Sequence, residues 1–138
     1  MIKAYIDAST KGNPGPSGGG ILLVDGQVQQ QLHFPLPILT NHQAEFAVLE
    51  QLLTHLIEAE QTAETIMVYS DSKVLVSTID KNHTNNSDFQ AYLIRIQSLL
   101  AHFPLLILQW IPEKQNKGAD HLARQGLQKA LLLQNRRQ

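Results

Sequence analysis

The sequence has no cysteine, few aromatic residues and almost no net charge. Without cysteine it forms neither disulfides nor thiolate metal sites, a composition that fits the cytoplasm. A formal net charge of −1 argues against a strongly basic nucleic-acid-binding protein, although local basic patches are compatible with it. The longest apolar run, 104–108, is far too short to cross a bilayer. We therefore expect a soluble cytoplasmic protein without a membrane partner.

The 138 residues suit one compact domain with a single core. No internal repeat, low-complexity stretch or linker divides the chain. The pattern predicts a single domain over 1–134, a frayed tail over 135–138 and a monomeric protein.

One acidic residue, Asp7, lies within an apolar strand predicted over 2–8. A carboxylate in a buried strand is costly unless hydrogen bonds, a cation or a metal ion compensate it. The next segment, 11–16, contains two prolines and two glycines and is predicted to be irregular. Asp7 is therefore a candidate site residue whose partners come from elsewhere in the chain.

Three consecutive glycines, 18–20, precede a second predicted strand over 21–24. Close approach of another backbone segment explains them. A phosphate-binding loop is the alternative, but the Lys-Ser or Lys-Thr pair of a P-loop does not follow. A third strand is predicted over 27–34, and Pro35 and Pro37 are expected to end the sheet.

Three further acids occupy helix starts or a strand end. Glu45 is expected in the first turn of the helix that follows the third strand. Asp71 follows the apolar strand 65–70 directly and precedes a helix. Asp120 falls in the first turn of the last predicted helix, 118–133. Each has a structural interpretation alone, because the helix dipole favours acids in a first turn and Asp71 could be an N-cap.

Taken together, the four acids predict a metal site. Strand ends and helix N-termini converge on one rim of an α/β sheet, and crowded carboxylates are stable as anions only with cations between them. Oxygen ligands without cysteine suit Mg²⁺ or Mn²⁺ rather than Zn²⁺. A site with two such ions is typical of in-line displacement at a phosphodiester.

The acids lie in four short motifs. These are Tyr5–Ser9 with Gly12–Gly15, Thr40–Asn41 with Ala44–Glu45, Tyr69–Ser72, and Asn116–Ala123. In this order, and over nearly the whole chain, they resemble the ribonuclease H type 1 family.

The resemblance implies an α/β ribonuclease H-like fold, with a five-stranded mixed sheet, its first three strands antiparallel, flanked by helices. It implies hydrolysis of the RNA strand of an RNA–DNA hybrid, with 5′-phosphate ends and two bound Mg²⁺ or Mn²⁺ ions. The catalytic and metal-binding residues that it implies are Asp7, Glu45, Asp71 and Asp120.

Candidate substrate-binding residues surround these acids. By resemblance, Asn13 and Asn41 lie along the minor groove, where 2′-hydroxyl groups distinguish RNA. Lys73 is placed to reach a phosphate, although an exposed helix lysine is the ordinary interpretation. The full candidate set is Ser9, Gly12, Asn13, Asn41, His42 and Lys73.

Two departures from the family pattern concern rate and affinity. Better-known members carry a flexible loop with a histidine before the last acid, whereas this chain has the short loop 112–117, in which Glu113 is a candidate substitute for proton transfer. The basic, tryptophan-rich protrusion of some members is also missing, and 81–87 is all that remains of it. Two alternatives stay open: a nucleic-acid-binding domain with weak or no catalysis, and a nuclease that also cleaves double-stranded RNA.

Overall fold

The computed structural model describes residues 1–136, which form one five-stranded mixed sheet and four α-helices. The strands are β1 (Ile2–Thr10), β2 (Gly15–Asp25), β3 (Val28–Leu39), β4 (Ile66–Ser70) and β5 (Leu106–Trp110). The helices are α1 (Asn41–Glu58), α2 (Lys73–Lys81), α3 (Ser87–Leu100) and α4 (Lys117–Arg136), with a short 3₁₀ helix over Glu113–Gln115. The predicted fold is confirmed.

The central strand of the sheet, β1, brings two of the candidate acids together. The strand order is β3-β2-β1-β4-β5. Strand β1 pairs antiparallel with β2 and parallel with β4, so that Ile6 lies opposite Ser70. Asp7 directly follows Ile6, and Asp71 directly follows Ser70. The two carboxylates therefore lie side by side where β4 and its pairing with β1 end.

Helices α1 and α4 cover opposite faces of the sheet, and the glycines of β2 show how closely they pack. A Cβ atom on Gly19 would lie 2.8 Å from Val48 of α1, and one on Gly20 would lie 2.3 Å from the backbone nitrogen of Ala123 in α4. Successive strand residues point to opposite faces. The close-approach interpretation of these glycines is confirmed, because α4 rests directly on the backbone of β2.

The predicted end of the sheet at Pro35 and Pro37 is wrong, since β3 continues to Leu39. Because β3 is an edge strand, a missing N–H group there need not interrupt a ladder. The register also shifts between Gly15 and Ser17 of β2, a bulge that accommodates the prolines. Gly15 itself begins β2, so the segment predicted to be irregular is shorter than expected.

Helix α1 begins at Asn41 with a side-chain cap. Thr40 is its N-cap, and Thr40 Oγ1 accepts a hydrogen bond from the backbone N–H of Gln43, whose side chain accepts one from Thr40 N–H. This start places Glu45 beyond the first turn, so the expectation of a first-turn acid is wrong. The helix dipole therefore does not explain Glu45.

Helix α4 is longer than predicted. It runs to Arg136, past the expected end at 133 and into the predicted tail. Residues 137 and 138 lie outside the described residues, and the predicted domain boundaries stay a prediction. Within 1–136, no helix combines the length and the apolar character that a bilayer crossing requires.

Candidate active site

Three carboxylates from separate elements form one cluster. Oxygen atoms of Asp7 on β1, Glu45 on α1 and Asp71 after β4 all lie within 4.8 Å of one another. The Asp7 side chain is buried, and the other two residues are partly buried. The sequence placed these acids on one rim, and the structure brings them within the span of a shared cation.

The cluster is electrostatically costly as three free anions. Burial, reinforced by the charge of Asp71, raises the pKa of Asp7 to about 8. Burial and then the charge of Asp7 raise the pKa of Glu45 well above its usual value. Burial also raises the pKa of Asp71, against the opposing effect of a hydrogen bond from Asn116. A proton or a cation must therefore offset the repulsion.

The residues of the cluster fit a divalent cation. Glu45 Oε2 is buried and has no hydrogen-bond partner within the described part of the chain, although buried carboxylate oxygens are normally satisfied. The available donors are hard carboxylate oxygens, which suit Mg²⁺ or Mn²⁺. Asp7, Glu45 and Asp71 are the residues that would hold such an ion.

The fourth predicted acid, Asp120, lies beside the cluster rather than within it. It occupies the first turn of α4, and its charge contributes to the raised pKa of Asp7. Its Oδ2 is 3.2 Å from Nη2 of Arg124 on the next turn. Gly20 lies directly opposite Asp7 in the sheet, and the close packing of α4 on Gly20 brings Asp120 towards the cluster.

The structural interpretation of Asp71 as a helix cap is wrong. The N-cap of α2 is Ser72, whose Oγ accepts a hydrogen bond from the backbone N–H of Leu75. Asp71 thus has no capping role. Its carboxylate is available to the cluster.

An open cleft of about 330 Å³ adjoins the cluster. A larger groove of about 510 Å³ lies between β3 and the end of α4 but contains none of the acids, so chemistry rather than size identifies the site. The residues that line the cleft are Asn41, His42, Glu45, Asp71, Ser72, Lys73, Val74 and Glu113.

Three predicted substrate-binding residues, Ser9, Gly12 and Asn13, do not line this cleft. Asn13 is nevertheless tied to its rim, because its Oδ1 accepts a hydrogen bond from the backbone N–H of Asn41 at 3.1 Å. Gly12 has a φ of +84° in the turn after β1, which favours glycine, and Ser9 pairs with Gly18 inside the sheet.

Two residues with contacts to Asp71 had no predicted role. Asn116 is 1% exposed, and its Nδ2 donates to the backbone oxygen of Ile6 at 2.9 Å and to Asp71 Oδ2 at 3.4 Å. Trp110 Nε1 donates to the backbone oxygen of Asp71 at 3.1 Å. The only signal for Asn116 is its place in the last motif, and nothing in the local sequence indicates the role of Trp110.

Residues 5–126 match the family model described as "Reverse transcriptase-like". The chain belongs to this family. One relative, the putative hydrolase EbsB of Enterococcus faecalis, is 53% identical over 129 residues, which cover 94% of this chain and 96% of EbsB. The family match spans every acid described above.

Proteins named ribonuclease H are also similar to the chain. Ribonuclease HI of Halobacterium salinarum is 30% identical over 132 residues, covering 94% of this chain and 65% of that protein. The crystal structure of RNase H1 from this archaeon has a TM-score of 0.83 at 29% identity and covers 94% of this chain and 98% of the other. The resemblance to ribonuclease H and the expected enzyme class, ribonuclease H, are confirmed.

A third similar protein extends the likeness of fold. LC11-RNase H1, solved in complex with an RNA/DNA hybrid, has a TM-score of 0.86. The match covers 95% of this chain and 99% of LC11-RNase H1. At 24% identity this likeness concerns the fold alone.

Proposed function

We propose that the protein is a divalent-metal-dependent endoribonuclease that hydrolyses the RNA strand of RNA–DNA hybrids and leaves 5′-phosphate ends. The observation that carries the proposal is the three-carboxylate cluster, whose oxygens lie within 4.8 Å of one another. Support comes from relatives named ribonuclease H and from a neighbour of the same fold solved with a hybrid. A cytoplasmic location and a monomeric state stay predictions.

Asp7, Glu45 and Asp71 hold Mg²⁺ or Mn²⁺ in this proposal, with two ions per site. When bound, the ions lower the pKa of a water molecule and stabilise the leaving oxygen. Asp7 lies on the central strand β1, and its carboxylate would contribute to holding the ions together with Glu45 and Asp71. Asp120 completes the set from α4, since its ion pair with the largely exposed Arg124 is weak enough to exchange.

The rim residues orient the hybrid. Asn41 and His42 present polar groups at the start of α1. The turn after β1 is held beside them, because Asn13 Oδ1 accepts a hydrogen bond from the backbone N–H of Asn41. Hydrogen bonds from this rim to 2′-hydroxyl groups would select the RNA strand across the wide minor groove. Ser9, near the end of β1, and Gly12, in the turn that follows, remain proposed contacts to the hybrid. Glu113 lines the cleft, and its charge contributes to the raised pKa of Asp71, which supports its proposed role as a proton-transfer group.

A cleavage panel tests this function. The purified protein is incubated at low salt with Mg²⁺ or Mn²⁺ and four duplexes: an RNA–DNA hybrid, double-stranded RNA, double-stranded DNA, and DNA with a single ribonucleotide. We expect cuts in the RNA strand of the hybrid, with ends that require phosphatase before they accept a 5′ label.

Other results lead to the alternatives. An intact hybrid that nevertheless binds would identify a binding domain without catalysis. Equal cleavage of double-stranded RNA would broaden the substrate class. The buried carboxylate cluster argues against the binding domain, because without catalysis its repulsion brings no benefit.

A further inference from the structure

The side chain of Lys73 is held against an aromatic ring at the edge of the cleft. Its Nζ lies 5.0 Å from the centroid of the Trp110 ring, within the range of a cation–π contact. Lys73 is the first residue of α2, where the helix dipole disfavours a positive charge. The stability of α2 therefore does not explain a lysine at this position.

Trp110 is itself fixed relative to the carboxylates. It is the last residue of β5 and pairs with Ser70, the residue before Asp71. Its Nε1–H donates to the backbone oxygen of Asp71, while 39% of the residue stays exposed. The ring is therefore a fixed platform beside the cluster, and it presents Lys73 at a defined place.

Lys73 is also free to bind an anion. In the described part of the chain, the ion pairs within 4.0 Å involve Met1, Arg95 and Arg124 as the cations, and Lys73 makes none. Among residues 1–136 it is the only lysine or arginine that lines the cleft, which it shares with three carboxylates. Lys73 therefore offers an ammonium group to a polyanion that approaches these acids.

We propose that Lys73 binds a backbone phosphate of the nucleic-acid strand in the cleft and that Trp110 is the residue that positions it. The proposal rests on the proposed function for the identity of the ligand. A lysine ammonium binds phosphate as a point charge with three donors, so one held in place loses less conformational entropy when it binds. The ordinary alternative is that Lys73 only offsets the charge of the acids.

Hybrid binding across a salt series separates these two roles. Fluorescence anisotropy is measured with Ca²⁺ in place of Mg²⁺, and a gel checks that the hybrid stays intact. The variants are Lys73→Met, which keeps the stem, and Lys73→Arg, which keeps the charge. Lys3→Met, an exposed lysine near the start of β1, is the matched control.

We expect Lys73→Met to raise the Kd about 5- to 10-fold at low salt and to reduce the slope of log Kd against log salt by about 1, as loss of one phosphate contact requires. Lys73→Arg should stay within about 2-fold of the wild type, and Lys3→Met should leave the slope unchanged. A wild-type slope in Lys73→Met, an equal loss in Lys3→Met, or no hybrid binding by the wild type would overturn the proposal.

Trp110 is tested in the same assay. Trp110→Leu removes the ring and should reduce the slope as Lys73→Met does, whereas Trp110→Phe keeps a ring face and should retain part of the effect. Full retention of affinity and slope in Trp110→Leu overturns the positioning role. If Trp110→Leu does not unfold in a cooperative thermal transition, the positioning role is judged from Trp110→Phe and the Lys73 variants.

The assay also separates this inference from the proposed function. A protein that binds the hybrid and never cuts it with Mg²⁺ or Mn²⁺ overturns the endoribonuclease proposal alone. The salt slope of Lys73→Met still decides the phosphate contact in that case.

Discussion

The two sides of the candidate site differ in how firmly the fold holds them. Asp7, Glu45 and Asp71 lie on β1, α1 and the end of β4, with buried or partly buried carboxylates packed within 4.8 Å of one another. On the other side, Glu113 is exposed and Asp120 is engaged with Arg124. The residues of the first side fit a cation that would offset their repulsion, whereas the acids of the second side are more exposed.

The largest effect should come from the firmly held side. Asp7→Asn should lower the cleavage rate by about 10³-fold or more, above the 10- to 100-fold typical of residues that only support a metal ligand. The initial rate on the hybrid measures this, and the cooperativity of thermal melting reports the fold. A variant that keeps a tenth of the activity would show that the cluster does not carry the chemistry.

The more exposed side should be less sensitive. Asp120→Asn should lower the rate about 10- to 100-fold, as expected for a carboxylate that acts from the edge of the cluster. Arg124→Ala is the control and should change the rate less than about 3-fold, because exposed ion pairs contribute about 1 kcal/mol or less. An Asp120→Asn rate as low as that of Asp7→Asn would remove the difference between the two sides.

The repulsion on the firmly held side predicts how pH and metal act together. The pKa of Asp7 is about 8 in the folded protein, compared with its ordinary value of 3.8. Between these values the folded state holds a proton that the unfolded state has lost. The stability contribution is therefore present below about pH 4 and is lost as the pH rises towards 8.

Mg²⁺ should reverse this loss. At 100 times its Kd, the ion adds about 2.7 kcal/mol of stability. The gain in melting temperature should be larger at pH 8 than at pH 5, where protons compete for the carboxylates. Equal gains at both values of pH would show that the ion binds elsewhere, and Asp7→Asn should lose most of the gain at pH 8.

The smallest effect should come from the exposed loop. Glu113→Gln should lower kcat about 10-fold, below the range of a well-positioned general acid or base, because the side chain is exposed and not fixed. KM should stay unchanged. Glu58→Gln, at the far end of α1, is the matched control, and an unchanged kcat in Glu113→Gln would leave the loop without a proton-transfer role.

Much of the firmly held side follows from sequence alone. Asp7 lies within an apolar strand and Asp71 directly follows another, and parallel pairing of the two strands places these acids side by side. Glu45 was expected near them, in the first turn of α1. It lies beyond that turn, because the start of α1 depends on the two hydrogen bonds between Thr40 and Gln43. A shift of the N-cap by one residue decides whether an acid lies in the first turn, where the helix dipole stabilises it.

The rest depends on neighbours that no local pattern shows. The roles of Trp110 and Asn116 arise only because β5 lies beside β4 and the loop after β5 returns to Asp71. The continuation of β3 through Pro35 and Pro37 depends likewise on its place at the sheet edge. The place of a strand within the sheet depends on the whole chain. It determines whether the strand tolerates a proline and which residues it contacts.

The hydrogen bond from Asn116 to Ile6 joins residues 110 positions apart. Closing so long a segment of chain is slow, because its entropy is lost before the contact forms. A protein still being synthesised therefore carries three of its acids long before α4 can dock on β2. We therefore expect the site to be completed late, and a chain interrupted before residue 116 would bear the first three acids without the contacts of Asn116.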